Sequence, residues 1–366
     1  MEFNGKLWVF EALDTFFFRD GSPYNAGEGG QTGTQSMFPP FISTLQGAVR
    51  IVLATQRGWT PERPEKWPGE LGTPSNLGMV ELRGPYLLKG EKFLFPMPLH
   101  VLHQENSAGG EGAYTRLQPG ELVECDLGRV RLPELQQSLP GAKPLEGSWL
   151  DAEGLKAVLH GGLPGVEHIF HAGDLWQGEN RVGIERDRKS RTAAQTKLYS
   201  SVHVRPQKDV TVAVLAGGVP EDWHPSDTRV VRLGGEGRYA RVKVYRREVQ
   251  LPRAPEIKPA GGVVRFTVTL ITPGRYREGE TCQVIRYGPP GIPGECVSAC
   301  IGKLQTVGGW DSISHCPRPA EPVIPAGSTW FFEAKENALE EVRSLHGKVN
   351  DAWGYGQIVL GKWEEC

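Results

Sequence analysis

Lys6-Leu7-Trp8-Val9-Phe10-Glu11-Ala12-Leu13 alternates along its length and reads as a β-strand. Beyond it Ser43 or Thr44 is placed to cap a helix whose apolar residues Leu45, Ala48, Val49, Val52 and Leu53 follow helical spacing. Residues 78–90 and 92–99 then read as a hairpin, and Asp151 as the cap of a short helix over 151–160. The order β-α-β-β-α is most of a ferredoxin-like unit. Strands follow at 211–218, 228–235 and 238–247, and the Pro- and Gly-rich stretch 252–262 reads as a linker. Past it come a strand at 263–272, another at 327–334, a helix over 336–348 and a closing strand at 357–363. The expected fold class is therefore α+β with insertions, most of a ferredoxin-like (RRM-like) unit in 1–255 and a second α+β unit in 256–366, with the boundary near 255–262. Residues 104–148, rich in Gly and Pro without sustained periodicity, read as an insertion or long loop.

Composition is that of an ordinary globular chain, with 39% hydrophobic and 23% charged residues among 366. No apolar run approaches a membrane span, and acidic residues interrupt the apolar N-terminus, so the expected location is the cytoplasm. Charge is segregated under a net value of -2. Residues 181–205 hold seven Lys/Arg against two Asp/Glu, and residues 229–253 hold eight against two. Of the totals of 41 and 43, this leaves 26 basic against 39 acidic residues elsewhere. Such islands suit a polyanion. A solvated pair of strands carries the same charge, so charge alone leaves both readings open.

Leu233-Gly234-Gly235-Glu236-Gly237-Arg238 and Trp353-Gly354-Tyr355-Gly356-Gln357 each set spaced glycines just before an expected strand. Glycine there permits positive φ and close approach of a phosphate or of another backbone. A tight turn before an edge strand explains either copy by itself; together they hint that the two halves end alike.

Catalytic constellations are not evident. His100 and His103, and His168 and His171, are spaced three apart without the glutamate and third ligand of a zinc hydrolase. Neither a phosphate-binding Gly-x-x-x-x-Gly-Lys-Ser/Thr loop nor a Gly-x-Ser-x-Gly nucleophile elbow occurs in the chain. Cys282, Cys296, Cys300, His315 and Cys316 are numerous enough for a zinc site, but their spacing is irregular and free thiols are the expectation. No cofactor is expected.

One set of motifs is more specific. It begins with Leu13-Asp14-Thr15-Phe16-Phe17-Phe18-Arg19-Asp20-Gly21-Ser22-Pro23-Tyr24, Phe38-Pro39-Pro40 and Gln46-Gly47-Ala48-Val49-Arg50. Arg181-Val182-Gly183-Ile184, Arg191-Thr192-Ala193, Leu198-Tyr199, the 234–238 loop, Ala326-Gly327-Ser328 and Gly354-Tyr355-Gly356 follow in order. In this series the chain resembles the third subunit of the Cmr (type III-B) CRISPR effector complex, a member of the RAMP superfamily. The resemblance implies a non-catalytic subunit with two ferredoxin-like domains that binds the 5′ handle of the guide RNA. It also implies two kinds of protein partner, a large cyclase/polymerase-like subunit and the RAMP backbone subunits, with no membrane partner. The equivalent subunit of the sister Csm (type III-A) complex is an alternative. So is a metal-independent endoribonuclease acting on guide precursors, and so is an adaptor that never touches RNA.

On that reading the RNA-binding candidates are Arg19, Arg50, Arg181, Arg186, Arg188, Lys189, Arg191, Lys197, Tyr199, Gly234, Gly235, Gly237 and Arg238. Gly354 and Gly356 form a structural glycine loop. Arg50 stands at the edge of the helix's apolar stripe, where capping the core and contacting phosphate are both open. The segment around Arg186–Lys197 suits a projecting hairpin or mobile loop. Tyr199, Tyr239 and Tyr245 lie in or beside the basic islands, where packing within strands competes with stacking on bases.

Overall fold

The computed structural model describes residues 3–19, 34–104, 112–125, 128–186, 193–277, 279–311 and 316–364. It is a strand-rich α/β fold of two compact units. The first comprises Met1–Glu91, Ala172–Glu248 and Thr306–Glu321; the second comprises Lys92–His171, Val249–Gln305 and Pro322–Cys366. The chain thus passes between units several times instead of once near 255–262, which corrects the expected boundary. The physical basis is non-local contact: residues 92–171 group with the second unit, the helix Ala152–Leu159 touching the strand Ile358–Lys362, and local composition does not carry that information.

In the first unit the elements are β1 (Gly5–Ala12), α1 (Ile42–Gln56), β2 (Glu81–Lys89), β3 (Trp176–Arg186), β4 (Ala193–Pro206), β5 (Val210–Gly217), β6 (Arg229–Arg232) and β7 (Tyr239–Tyr245). Five of these strands form an antiparallel sheet in the order β2-β5-β1-β7-β6. Strand β1 is central because Trp8 and Phe10, both wholly buried, lie in register between Val214 and Val244 and between Val212 and Val242. Such cross-strand aromatic and β-branched pairs stabilise a sheet. The indole Nε1 of Trp8 donates to His224 Nδ1 at 3.2 Å, so the buried ring keeps its polar atom satisfied.

Helix α1 packs against β2, β5 and β6 through the expected stripe of Leu45, Val49, Val52 and Leu53. Its cap is Phe41, with no side-chain hydrogen bond, and not Ser43 or Thr44. Burial of Phe41 fixes where the helix begins and leaves both hydroxyl residues inside the first turn. Strands β3 and β4 form a long antiparallel hairpin, with Thr34–Gln35 added in parallel to β4.

The second unit contains β8 (Val263–Leu270), α2 (Thr281–Tyr287), β9 (Glu295–Cys300), β10 (Thr329–Lys335), α3 (Leu339–Arg343) and β11 (Ile358–Lys362). These follow the order βαββαβ and make an antiparallel sheet β9-β10-β8-β11. Phe266 stacks on Phe332 at 5.4 Å, and Val268 lies between Trp330 and Leu360. The described residues of 104–148 are largely strand where a loop was expected. Ala113–Cys125 and Gly128–Leu135 pair as a hairpin joined to Val101–Gln104 and Lys143–Pro144. Pro119 faces Pro133 there and much of the hairpin is exposed, so no apolar alternation marks it. Asp151 does cap its helix, Ala152–Leu159, accepting from the Gly154 amide at 3.1 Å. That helix belongs to the second unit. Among the described residues no helix is long and apolar enough to cross a membrane.

Among the described residues three histidines are buried, His100, His203 and His224. Burial pushes His100 down to about 3 and His224 down to about 4, and it also lowers His203. The unfolded chain therefore takes these protons first. Stability from neutral burial is fully present above about pH 6.5 and falls as pH drops toward each folded value, by at most about 1.4 kcal/mol per pH unit per histidine. Thermal melting from pH 8 downward is expected to show a falling Tm from about pH 6.5, before the carboxylates titrate. A His224→Gln variant is expected to flatten part of that slope, and an unchanged slope contradicts the assignment.

Candidate nucleic-acid interface

After β1 the chain bends at Leu13-Asp14 and buries Thr15, Phe16, Phe17 and Phe18 in succession. Four consecutive buried residues break strand alternation because this segment is enclosed on several sides. Phe16 exchanges both backbone hydrogen bonds with Val204 of β4, at 2.8 and 2.9 Å. Phe18 N donates to Ser36 Oγ at 2.8 Å, and Phe17 stacks on His203 at 4.9 Å. On another side lies the 234–237 loop. The Gly235 amide donates to Phe17 O at 2.8 Å, and a Cβ on Gly234 would sit 2.4 Å from that same oxygen. Gly234 and Gly237 have φ of +85° and +63°, and Glu236 adopts +52°. Glycine at 234 is thus demanded by the chain's own backbone. The loop nevertheless stays exposed over 234–237.

An ion cluster borders this loop. Asp14 Oδ2 accepts from Arg181 at 2.6 Å and from Arg238 at 3.3 Å, while Asp14 Oδ1 accepts from Arg205 at 2.8 Å. Glu179 takes Arg181 Nε at 2.9 Å and Arg205 Nε at 2.6 Å. The Arg181 guanidinium lowers the Asp14 carboxyl and is itself raised by it; Arg205 and Glu179 act on each other likewise. Three guanidinium groups face two carboxylates, an excess of one positive charge. All five side chains keep solvent contact, so each pair adds at most about 1 kcal/mol to stability. The chemical consequence is a preassembled cationic surface whose remaining N–H donors suit phosphate oxygens. Among the described residues the Arg238 Nε, shielded from solvent, has no acceptor.

The structure unites Arg181, Arg238, Gly234, Gly235 and Gly237 of the expected RNA set. Arg19 is exposed just past the triple phenylalanine. Arg50 is buried, donating to Gln46 Oε1 at 3.0 Å and Thr73 O at 2.8 Å, so of its two readings the core role holds. Desolvation lowers its guanidinium to about 10. Arg186, Lys197 and Tyr199 lie on the hairpin strands, with Tyr199 in register with Gly183; their side chains lie outside the described residues. Arg188, Lys189 and Arg191 fall wholly outside them. Asp14, Glu179 and Arg205 were not anticipated. The signal was Glu179 and Arg181 two apart on one strand, hence on one face.

Gly354 and Gly356 occupy the matching place before β11 but are buried. Asp351 organises that loop, accepting from the Trp353 and Tyr355 amides and from Arg275 at 3.1 Å. The two loops share topology, each leading into the strand beside β1 or β8, and differ in exposure.

The paired histidines have structural work. His100 Nδ1 meets Thr329 Oγ1 at 3.3 Å, His168 holds the helix-capping Asp151 at 3.0 Å, and His171 meets Ser148 at 2.9 Å. His103 packs on Tyr114. Burial pushes the Cys296 and Cys300 thiols up to about 12, against the thiolate form that zinc binds. His315 lies outside the described residues, and among those described no three metal-ligating side chains gather.

Among curated proteins none matches this chain. The fold is similar to that of a chain in a cryo-EM structure of the Type III-B Cmr-beta bound to cognate target RNA, with a TM-score of 0.53 at 15% identity, covering 97% of this chain and 99% of that one. A second such structure, with AMPPnP in state 1, gives a TM-score of 0.52 at 15% identity and the same coverage, 97% and 99%. The model of the family described as CRISPR-associated protein (Cas_Cmr3) matches residues 8–363, nearly the whole sequence. This chain belongs to the CRISPR-associated Cas_Cmr3 family.

Proposed function

We propose that this chain is a non-catalytic, RNA-holding subunit of a type III-B CRISPR effector complex in the cytoplasm. In this role it grips the 5′ handle of the guide RNA and joins the large cyclase/polymerase-like subunit to the RAMP backbone subunits. Family membership supports the complex, and the cognate target RNA bound to the similar Cmr-beta assembly supports an RNA ligand. Both units fit a ferredoxin-like reading. The second has the βαββαβ order, and the first keeps the β2-β5-β1-β7 core with α1 after β1, without a helix between β5 and β7 longer than the 3₁₀ turn Glu221–Trp223.

The observation that carries the proposal is the convergence of Arg181, Arg205 and Arg238 on Asp14 and Glu179 beside an exposed glycine loop. A phosphate chain needs cations where it runs and close backbone where it turns. Asp14 and Glu179 hold the guanidiniums in place in the absence of RNA, and the excess charge is left for phosphate. Arg188, Lys189 and Arg191, outside the described residues, are assigned to the same surface in this reading. General acid–base cleavage needs a histidine that exchanges protons near neutrality, whereas burial holds His100, His203 and His224 neutral there.

The test is the affinity of the full chain for a repeat-containing guide RNA across a salt series. Glutamine at Arg181, Arg205 and Arg238 is expected to lower the salt slope by about two, at about 0.7 per phosphate on a single strand. Glutamate at Arg188, Lys189 and Arg191 is expected to lower it by a similar amount. Unchanged affinity and slope in a folded triple variant removes that segment from the RNA surface. Gly234→Val is expected to act otherwise, lowering Tm because the Phe17 carbonyl and the positive φ leave no room for a side chain. The same RNA is expected to stay intact with and without chelator. Cleavage that survives chelation and disappears in His103→Ala restores the nuclease alternative.

A further inference from the structure

Among the described residues, one row of the first unit's sheet is exposed to solvent. Along β7, Ala240 and Val242 are wholly buried, whereas Tyr239, Arg241, Lys243 and Tyr245 point to the opposite face. Tyr239 and Tyr245 are each 45% exposed. Successive members of this row stand about 7 Å apart and its ends about 20 Å, from the rise of a strand. The register adds neighbours on both sides. Arg232 lies opposite Tyr239, and Val230, 59% exposed, lies opposite Arg241 on β6. Glu11 and Val9 lie opposite Arg241 and Lys243 on β1. Leu13, 48% exposed, donates its amide to Tyr239 O.

A sheet face in water is ordinarily polar. This one sets two cations between two aromatic rings. Glu11 takes Arg241 at 2.9 Å, so Arg232 and Lys243 remain as excess positive charge. A protein partner would favour an apolar centre depleted of lysine, whereas Lys243 stands mid-row. Bases stack on tyrosine faces while phosphates meet the intervening cations, which is how sheet surfaces hold single-stranded RNA. The row also runs on directly from the ion cluster, since Arg238 precedes Tyr239 and Asp14 follows Leu13.

We propose that Tyr239 and Tyr245, with Arg232, Arg241 and Lys243, form a stacking platform for a single-stranded RNA segment adjoining the one held at the glycine loop. The inference rests on the RNA-holding reading for its ligand class. It adds base stacking, at a separate set of residues, to phosphate capture at the arginine cluster.

The test uses the full chain and an unstructured oligouridine of about ten nucleotides, within the usual span of such platforms, beside an abasic strand of equal length. Tyr239→Ala with Tyr245→Ala is expected to weaken oligouridine binding at least about tenfold without changing the salt slope, because no charge is removed. Phenylalanine at both positions is expected to restore binding, and the abasic strand to bind equally weakly to all forms. A folded alanine double variant that binds oligouridine as well as wild type overturns the platform. So does a variant that keeps its RNA affinity and instead loses a protein subunit during purification, which assigns the face to protein docking. Wild type with no affinity for any single-stranded RNA removes the proposed function itself, a result distinct from both.

Discussion

The segment Thr15–Phe18 is the clamp on which the first unit depends. Its backbone joins Val204 of the long hairpin, its Phe17 carbonyl takes the Gly235 amide, and its side chains fill the space between them. A hairpin and a glycine loop, both rich in charge, have little apolar surface to hold them against a sheet. Three consecutive buried phenylalanines provide it, at about 1.5–3 kcal/mol for each side chain fully removed from water. Glycine at 234 follows from the same constraint, because the loop approaches the clamp too closely for any side chain.

Fixing those elements also fixes the electrostatics. Asp14 sits at the bend just before the clamp, Glu179 and Arg181 on β3, Arg205 at the end of β4, and Arg238 directly after the glycine loop. Five residues from four separate stretches meet because the clamp holds their backbones together. Each ion pair is weak by itself in solvent. Collectively they orient three planar guanidiniums and stop them from dispersing, so an arriving polyanion meets donors already in position.

The second unit also sets spaced glycines just before a strand beside the central one, for a different end. Its glycine loop occupies the matching place before the last strand, yet Asp351 and Arg275 fold it inward, with Arg275 lying over the rings of Trp353 and Tyr355. Glycine spacing is alike in both loops. Their exposure is opposite: Asp351 accepts from the amides of the second loop, while the first stays exposed over 234–237.

The sequence by itself determined much of this protein. Strong periodicity marked β1, α1 and three strands of the second unit, β8, β10 and β11, since alternation and helical stripes are local consequences of one buried face. The joint order of motifs carried the family, and the basic islands carried Arg181 and Arg238. Only the tertiary structure decided the rest. Arg50 leaves core capping and phosphate contact both open until its helix is placed, whereupon Gln46 and the Thr73 carbonyl take its guanidinium. Residues 104–148 read as loop because a hairpin exposed on much of its surface needs no apolar alternation. The unit boundary, the partnership of Asp14 with three arginines and the open face of β7 all join residues far apart in the chain. Such contacts form only where the fold brings backbones together, and no local pattern of residue types records them.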